Sequence, residues 1–410
     1  MKKNIIKNII QLYGLSIAKL IFPLITLPYL TRVLSVDAYG TVAYVKTIMS
    51  YMQIIIDFGF MLSGTKEIIE CKEEKRKLSY ITSKVLFARI LLCIISFCVL
   101  VIISFLLPIL RNNILYTYLS FIPILLSVFL FDYVFRGLEK MNVITNRFVI
   151  MRGISTIMTI IVIKDESQLL LIPVLDIIGT LTAVALVLVE LKKLDINLVK
   201  VKKSEIISTL KVSSIYFASD MATTIFGALN TVIIGIFLTT KEVAYWSVCI
   251  QLITAVQSMY SPITNGVYPE MVRSKNIDNI KKLLRFFMPL ILIGCILAIL
   301  LSEKLLIMIS GEQYAQAAYV FIMLIPLLLI SFPAMILGWP TLGAIEKQKE
   351  VTITTVISAI VQVIGLFVLY ESGILNLITL SILRIITEMV LLSSRFFMCM
   401  KFRKLFCRGN

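Results

Sequence analysis

Two lysines stand where a bilayer-spanning segment would have its middle, and their chemistry is the first feature of this sequence that needs explaining. Lys19 lies inside the apolar run 9–30, and Lys46 lies inside the next run, 39–61. An ammonium group in hydrocarbon costs at least about 2–3 kcal/mol, so such charges usually face a bundle interior or a water-filled cavity. A cavity lined by cations predicts an anionic passenger, although an intramembrane ion pair or snorkelling to the interface would also accommodate the charge.

Two arginines extend this set of candidate anion-binding residues. Arg89 lies near the start of the third apolar run, where snorkelling to the interface is the usual outcome. Arg384 lies near the middle of the last run and is followed by Glu388 at i+4, which places both charges on one helix face. This second pair predicts either a structural ion pair or a gate or proton relay.

Embedded carboxylates provide the opposite charges. Asp57, Asp176 and Asp220 each lie within an apolar segment. A buried carboxylate can carry a coupling proton, bind Na⁺, or pair with a buried lysine, and the sequence leaves these roles open. We also expect Asp132 and Arg136 to pair with each other at the end of the fourth segment, because they are spaced at i,i+4.

Proline and amide side chains predict where helices bend and where a lumen is polar. Pro23 and Pro28 follow Lys19 in the first segment, and proline frees a helix carbonyl and kinks the chain. We expect this pair to form a hinge, with a static kink as the alternative. Four amide residues are expected to face the lumen, or else to hydrogen-bond between helices: Asn230, Gln251, Gln257 and Asn265.

Composition places the chain among polytopic membrane proteins. Of its 410 residues, 59% are hydrophobic and 16% are charged, whereas soluble domains average about 45–50% and about 25%. The chain contains no histidine, and its seven cysteines show no paired or metal-binding spacing. We therefore expect no catalytic triad, no metal and no cofactor, apart from a coupling ion, H⁺ or Na⁺.

The pattern of apolar runs predicts an all-α integral membrane protein with about twelve transmembrane helices. The fifth and ninth segments are short, and the seventh is long enough to tilt or bend. The expected segments are 9–30, 39–61, 85–107, 114–135, 148–163, 169–190, 210–238, 245–268, 286–301, 317–338, 351–370 and 375–397.

Charge asymmetry predicts the orientation. Of the 40 Lys and Arg residues, 31 fall in one set of alternate connections and termini and only 5 in the other set. Positively charged loops stay in the cytoplasm, so both termini are expected there, as an even number of spans requires. These loops explain most of the net charge of +16 and face anionic membrane lipids, so nucleic acid is not expected as a partner.

A basic segment divides the chain into two halves. The expected organisation is an N-terminal six-helix bundle over 1–190, a cytoplasmic linker over 191–211, and a C-terminal bundle with a cytoplasmic tail over 212–410. A faint duplication supports this division, because Ala38-Tyr39 and Ala244-Tyr245 each follow a span that ends in leucine. Two halves of the same orientation predict a site between them.

Several motifs resemble the Wzx-type O-antigen and polysaccharide flippases of the multidrug/oligosaccharidyl-lipid/polysaccharide exporter superfamily. Together with the twelve-span layout they cover essentially the whole chain. The motifs are Phe-Pro-Leu-Ile-Thr-Leu-Pro-Tyr-Leu-Thr-Arg-Val-Leu over 22–34, Ala-Tyr-Gly over 38–40, Asp-Phe-Gly-Phe over 57–60, Ser-Gly-Thr-Lys-Glu-Ile over 63–68, Phe-Arg-Gly-Leu-Glu-Lys-Met over 135–141 and Pro-Ile-Thr-Asn-Gly-Val-Tyr-Pro over 262–269.

The resemblance implies two six-helix bundles around a central cavity and alternating access, with coupling to an ion gradient. It implies a passenger: an oligosaccharide on undecaprenyl pyrophosphate, moved from the cytoplasmic to the periplasmic leaflet of the bacterial inner membrane. Lys19 and Lys46 would then contact the pyrophosphate or acidic sugars. A polysaccharide polymerase and a chain-length regulator would be protein partners.

Two other classes compete with this interpretation. An ion-coupled drug or small-molecule exporter of the same fold would favour an acidic lumen, which Lys19 and Lys46 argue against. A membrane enzyme, such as a polymerase or a lipid-linked glycosyltransferase, would need a sizeable external loop or an acidic metal-binding motif. The sequence shows neither, so we expect a transporter and not an enzyme.

Overall fold

The computed structural model describes the backbone of residues 2–406 and the side chains of 11–406, apart from residues 219, 220, 222, 223, 225 and 226. Every regular element in this described part is helical, and no β-strand occurs in it. The expected all-α membrane fold is confirmed. Among the described residues, ten helices are long and apolar enough to cross a membrane.

The first half of the chain forms nine helices and the start of a tenth. Short 3₁₀ turns at Val128–Leu130 and Glu166–Gln168 connect some of them. The helices are α1 (Lys2–Val33), α2 (Val36–Asp57), α3 (Phe60–Glu70), α4 (Lys75–Leu106), α5 (Pro108–Asn112), α6 (Ile114–Ser127), α7 (Asp132–Gly137), α8 (Met141–Val162), α9 (Leu171–Lys193) and α10 (Lys203–Phe237).

The second half continues from α10. A π-helical segment, Leu337–Leu342, follows α16, and 3₁₀ turns occur at Glu312–Ala317, Gly343–Ile345 and Arg403–Leu405. The helices are α11 (Thr240–Ser258), α12 (Tyr260–Ser274), α13 (Ile277–Leu300), α14 (Ser302–Ser310), α15 (Ala318–Leu324), α16 (Pro326–Ile336), α17 (Gln348–Glu371) and α18 (Leu377–Lys401).

Two predicted spans were wrong in length. The fifth, 148–163, is the 22-residue helix α8, and the ninth, 286–301, is the 24-residue helix α13. Both begin with polar, basic turns that hydropathy alone assigns to loops. The helices nevertheless start earlier, and the Asn276 side chain caps α13 by accepting a hydrogen bond from the Asp278 amide.

Two of the twelve predicted spans are helical but are not among these ten. They are the segments over 210–238 and 245–268, which correspond to α10 and to α11 with α12. Helix α10 contains the six residues whose side chains are not described.

The chain forms two compact units, Met1–Met221 and Ala222–Asn410. The boundary between these compact units lies within α10, because the start of α10 packs onto Gly59 and Ser63 of the first unit. The expected linker over 191–211 stays a prediction. In the N-terminal unit, α8 packs between α1 and α9, and α6 packs against α2 and α9.

Burial differs sharply between two helices of the C-terminal unit. Only 6% of the apolar stretch of α13 is buried, against 78% for Pro326–Ile345, which comprises α16 and the turns after it. The first helix is therefore peripheral and the second forms the core of the unit. Tyr260, Phe287 and Phe332 form part of that core.

Candidate functional site

Three adjoining cavities open in the N-terminal unit, lined by residues of α1 to α4 and of α6 to α9. Their volumes are about 390, 310 and 80 Å³. Gln53 lines all three, and Arg152 and Thr180 line the two larger ones. We call these three cavities together the basic groove.

The charged residues of the basic groove are mainly positive. Six basic side chains and three acidic ones line it, which gives a net charge of +3. The basic residues are Lys19, Lys46, Arg89, Arg136, Arg147 and Arg152, and the acidic residues are Asp57, Asp132 and Asp176.

Each acid of the groove is held by one arginine. Arg89 pairs with Asp57 at 2.8 Å, and Arg152 pairs with Asp176 at 3.3 Å. Arg147 donates two hydrogen bonds to the carboxylate of Asp132, and the one from Nε is 2.9 Å long. The predicted pairing of Asp132 with Arg136 was therefore wrong. Arg147 lies on the facing helix and presents two guanidinium nitrogens to that carboxylate, a stronger arrangement than a single contact along one helix.

The other three cations of the groove keep their charge available. Among the described residues, Lys19, Lys46 and Arg136 form no ion pair. Lys19 and Lys46 are exposed to the cavities, and the ammonium of Lys19 lies 5.9 Å from the centre of the Phe148 ring, within cation–π range. The groove thus offers three cationic groups to an anion.

A close helix crossing brings Arg152 and Asp176 together. Gly179 of α9 lies so near α8 that an added Cβ would stand 2.5 Å from the carbonyl oxygen of Met151. Asp176, one turn before this glycine, accepts hydrogen bonds from Arg152 and from the Ser155 hydroxyl. The crossing fixes the pair at the wall shared by the two larger cavities.

The two prolines of α1 leave a carbonyl without its helical donor beside the groove. Because Pro23 has no N–H, the carbonyl of Lys19 loses its partner four residues on. Helix α1 continues through both Pro23 and Pro28 to Val33. The hinge expected of these prolines stays a prediction.

Two of the predicted anion-binding residues, Arg384 and Arg89, already form ion pairs with carboxylates. Arg384 and Glu388 form a buried ion pair of 3.1 Å on α18 in the C-terminal unit, which is the structural alternative that the sequence left open. Arg89 does line the groove, but its side chain is buried and also donates to the carbonyl of Val128. Arg384 lines none of the three cavities, and Arg89 lines the groove as the partner of Asp57.

Asn230 belongs to a network within the C-terminal unit and does not face an open lumen. It is buried and accepts a hydrogen bond of 2.9 Å from Gln362, whose carbonyl oxygen accepts one of 2.7 Å from Thr387. This is the helix–helix bonding that was the alternative. Gln251 and Gln257 are half-buried, and Asn265 is exposed. The side chain of Asp220 lies outside the described residues.

Three groove arginines were missed by sequence reasoning. Arg136, Arg147 and Arg152 belong to the basic residues that the charge asymmetry assigns to cytoplasmic connections. A signal for Arg147 and Arg152 was available, because a fifth span of 148–163 is too short to cross a bilayer of about 30 Å. Asp176 in the next span also needed a basic partner.

The fold and this site define a polytopic α-helical membrane protein with a cationic internal groove. The sequence profile of the family described as "Polysaccharide biosynthesis protein" matches residues 5–275. The chain therefore belongs to that family, as the motifs of its N-terminal half predicted.

Two curated relatives carry the description "Putative O-antigen transporter". The chain is 24% identical to the one from Escherichia coli K12 over 339 residues, which is 80% of each chain. It is 25% identical to the one from Shigella dysenteriae over 371 residues, which covers 88% of this chain and 92% of the relative. These relatives are transporters, which agrees with the expectation that this protein is not an enzyme.

Solved structures show the same fold. An inward-facing multidrug resistance MATE family transporter of the MOP superfamily superposes with a TM-score of 0.72 at 14% identity, covering 96% of this chain and 98% of that one. The lipid II flippase MurJ in an inward closed conformation superposes with a TM-score of 0.68 at 14% identity, covering 96% and 87%. This chain therefore shares the helical fold of these two transporters.

Proposed function

We propose that this protein is a flippase that moves an oligosaccharide repeat unit, carried on undecaprenyl pyrophosphate, from the cytoplasmic to the periplasmic leaflet by alternating access. The observation that carries the proposal is the net charge of +3 in the basic groove, with Lys19, Lys46 and Arg136 free of ion pairs among the described residues. The relatives described as O-antigen transporters and the MurJ-like fold support it.

The chemistry of the passenger matches the groove. A pyrophosphate diester cannot enter hydrocarbon with its charge uncompensated, because desolvation of an isolated ion is prohibitive. Lysine ammonium and arginine guanidinium groups replace the lost water with charge-assisted hydrogen bonds. Lys19, Lys46 and Arg136 would bind the phosphate oxygens or an acidic sugar, while the three ion pairs keep the groove walls in place.

The same proposal includes an orientation and a location. The excess of Lys and Arg in alternate connections favours cytoplasmic N- and C-termini in a bacterial inner membrane. The lipid would approach from the cytoplasmic leaflet, where it is assembled. A polysaccharide polymerase and a chain-length regulator would act on the passenger after its release on the other side.

Coupling to H⁺ or Na⁺ would use a carboxylate that the groove exposes. Asp57 is the best placed of the candidates, because 45% of its side chain is exposed while its partner Arg89 is buried. Asp176 is held by both Arg152 and Ser155, which leaves it less accessible to an ion.

An ion-coupled exporter of organic cations is the competing function on this fold. The MATE-like fold permits it, but a groove of net charge +3 repels a cationic drug. The sign of the groove charge therefore favours the flippase.

The deciding experiment is complementation in the source organism. The gene is deleted, and wild type, Lys19→Ala or Lys19→Arg is restored, while surface polysaccharide and the leaflet of the lipid-linked oligosaccharide are measured. We expect wild type to rescue fully, Lys19→Arg partly because charge matters more than shape, and Lys19→Ala to lose at least about tenfold in surface glycan, the equivalent of one lost charged contact.

Lys304→Ala is the matched control, because Lys304 is an exposed cation of the C-terminal unit that does not line the basic groove. It should behave as wild type. All variants are first compared for their amount in the membrane. Normal glycan with Lys19→Ala would refute the role of this lysine. Lipid-linked units that reach the outer leaflet in the deletion strain would refute the flippase itself.

A further inference from the structure

The Asp-Phe-Gly-Phe motif over 57–60 forms a sharp corner between α2 and α3. Helix α2 ends at Asp57, and α3 begins at Phe60. Between them Phe58 and Gly59 both have left-handed backbones, with φ of 41° and 73°. A left-handed conformation is strained for a residue with a large side chain such as Phe58, so the surrounding packing must hold this corner in place.

The start of α10 packs directly against the corner. A Cβ on Gly59 would stand 2.4 Å from the Cβ of Tyr216 and 2.8 Å from the amide nitrogen of Phe217. The Phe58 ring stacks on the Phe217 ring, with their centres 4.4 Å apart. Only glycine fits at position 59, both for its backbone and for the space available.

A buried hydrogen bond joins the same two elements one turn further along. The hydroxyls of Ser63 in α3 and Ser213 in α10 lie 2.7 Å apart, and both residues are buried. The contact between corner and helix is therefore both close-packed and polar.

The other side of the corner faces the basic groove. Asp57 is the last residue of α2, and its carboxylate accepts a hydrogen bond of 2.8 Å from Arg89. Both line the smallest cavity of the groove together with Asp132. An anion in the groove would compete with the exposed carboxylate of Asp57 for the guanidinium of Arg89.

Helix α10 belongs to both units of the chain. Its residues up to Met221 lie in the N-terminal unit and its residues from Ala222 to Phe237 in the C-terminal unit. A displacement of its first turns would thus act on a helix that continues into the other unit.

We propose that the Phe58–Gly59 corner couples occupancy of the basic groove to the contact between α3 and α10. A bound anion takes Arg89 from Asp57, the corner relaxes, and the start of α10 separates from α3 in each transport cycle. The anionic passenger in this scheme rests on the flippase function proposed above.

A reversible cross-link tests whether the contact must open. Ser63→Cys and Ser213→Cys are combined in a variant whose seven native cysteines have been replaced and which still transports. We expect the disulfide to form under mild oxidation, surface glycan to fall at least about tenfold, the size of a strong coupling, and reduction to restore it. The single-cysteine variants under the same oxidant are the controls.

The effect of a ligand on the rate of disulfide formation between positions 63 and 213 is measured in purified, full-length protein in liposomes. The probe is farnesyl pyrophosphate, and farnesol is its uncharged control. We expect the charged probe to change the rate of disulfide formation by at least about fivefold, and farnesol to leave it unchanged. With Asp57→Asn added, the rate should no longer respond to the probe.

The outcomes separate this inference from the function on which it rests. Binding of radiolabelled probe is measured independently. A probe that binds without changing the cross-linking rate, or a cross-linked protein that transports normally, would overturn the coupling and leave the flippase intact. A probe that fails to bind the groove would remove both.

Alanine substitutions at two separate glycines test the close contact between the corner and α10. Gly59→Ala should abolish cross-linking between α3 and α10, because the added methyl group cannot fit beside Tyr216. Gly14→Ala is the matched control, since its Cβ would meet only the Thr145 methyl at an ordinary 3.8 Å. Equal cross-linking in both variants would contradict the close contact at the corner.

Discussion

Both units of this protein place arginine–carboxylate pairs inside a helical bundle, but they expose them differently. In the basic groove, the carboxylates of the three pairs are 22–45% exposed, although Arg89 and Arg147 are as buried as Arg384. On α18, the side chains of Arg384 and Glu388 are only 10% and 6% exposed. The same chemical pair therefore presents its carboxylate to open space in one unit and encloses both charges in the other.

The surroundings of the C-terminal pair explain this difference. Arg395, two turns after Glu388, donates a hydrogen bond of 2.6 Å to the carbonyl of Ala334, one turn before the helix breaks at Gly338. These charges hold a broken helix in place. The groove charges instead line open space, which indicates that exposure, more than residue type, separates structural from ligand-binding charges in this fold.

The largest effect on stability is expected from removing one partner of the buried Arg384–Glu388 ion pair. Glu388→Ala leaves Arg384 buried with its charge uncompensated by that carboxylate, which should lower the free energy of unfolding by about 3–5 kcal/mol. Thermal unfolding of the detergent-purified protein measures the loss. Asp176→Ala in the groove should cost only about 1 kcal/mol, because water reaches its partner.

A double substitution sharpens the same comparison. Arg384→Met with Glu388→Leu removes both charges and should recover most of the stability, since apolar residues of similar volume can replace a buried pair. Surface glycan should be near wild type in this variant. A double variant that is stable but inactive would instead give Arg384 or Glu388 a part in transport.

An intermediate effect is expected at the amide network of the C-terminal unit. Gln362→Leu removes the hydrogen bonds to Asn230 and Thr387 and leaves buried polar groups unpaired. The expected loss is about 1–2 kcal/mol of unfolding free energy. Unfolding curves with and without Asn230→Leu show the coupling, and additive losses would contradict a shared network.

The smallest effect is expected at a surface pair outside the spans. Lys75 lies 2.7 Å from Asp195 and holds the pKa of that carboxyl below its ordinary value of 3.8 by a hydrogen bond and its charge. The pair stabilises the folded state above about pH 4 and loses this as pH falls through the lowered folded pKa. Asp195→Asn should leave the melting temperature at pH 7 unchanged within error, because both side chains are exposed. A shift of several degrees in the melting temperature would show that the Lys75–Asp195 pair contributes to stability as the buried Arg384–Glu388 pair does.

The helical membrane fold was accessible from sequence because hydropathy reports directly on burial in lipid. Lys19 and Lys46 were accessible for the same reason, since a charge within an apolar run is visible without a structure. The order of the spans and the family motifs of the N-terminal half also agree with the structure and with the matched family.

Ion-pair and hydrogen-bond partners that lie on different helices could not be predicted from the sequence. Asp132 could be matched to Arg136 by spacing, but the facing helix places Arg147 closer, and only tertiary packing decides between them. Arg147 was hidden because hydropathy begins the fifth segment only at residue 148, whereas α8 begins at Met141 and tolerates charges that face a cavity. Asn230 was assigned to a lumen because polarity alone does not distinguish a wet surface from a hydrogen-bonded core.

The peripheral helix α13 gives this protein a means of adapting to its bilayer. Its 24 residues span about 36 Å at about 1.5 Å per residue, longer than a hydrocarbon layer of about 30 Å. The first turns of α13 pack on the core around α16 through Ile280 and Phe287, so the mismatch falls on its second half, most of whose side chains are exposed. Bilayers of different thickness should therefore support the same packed core.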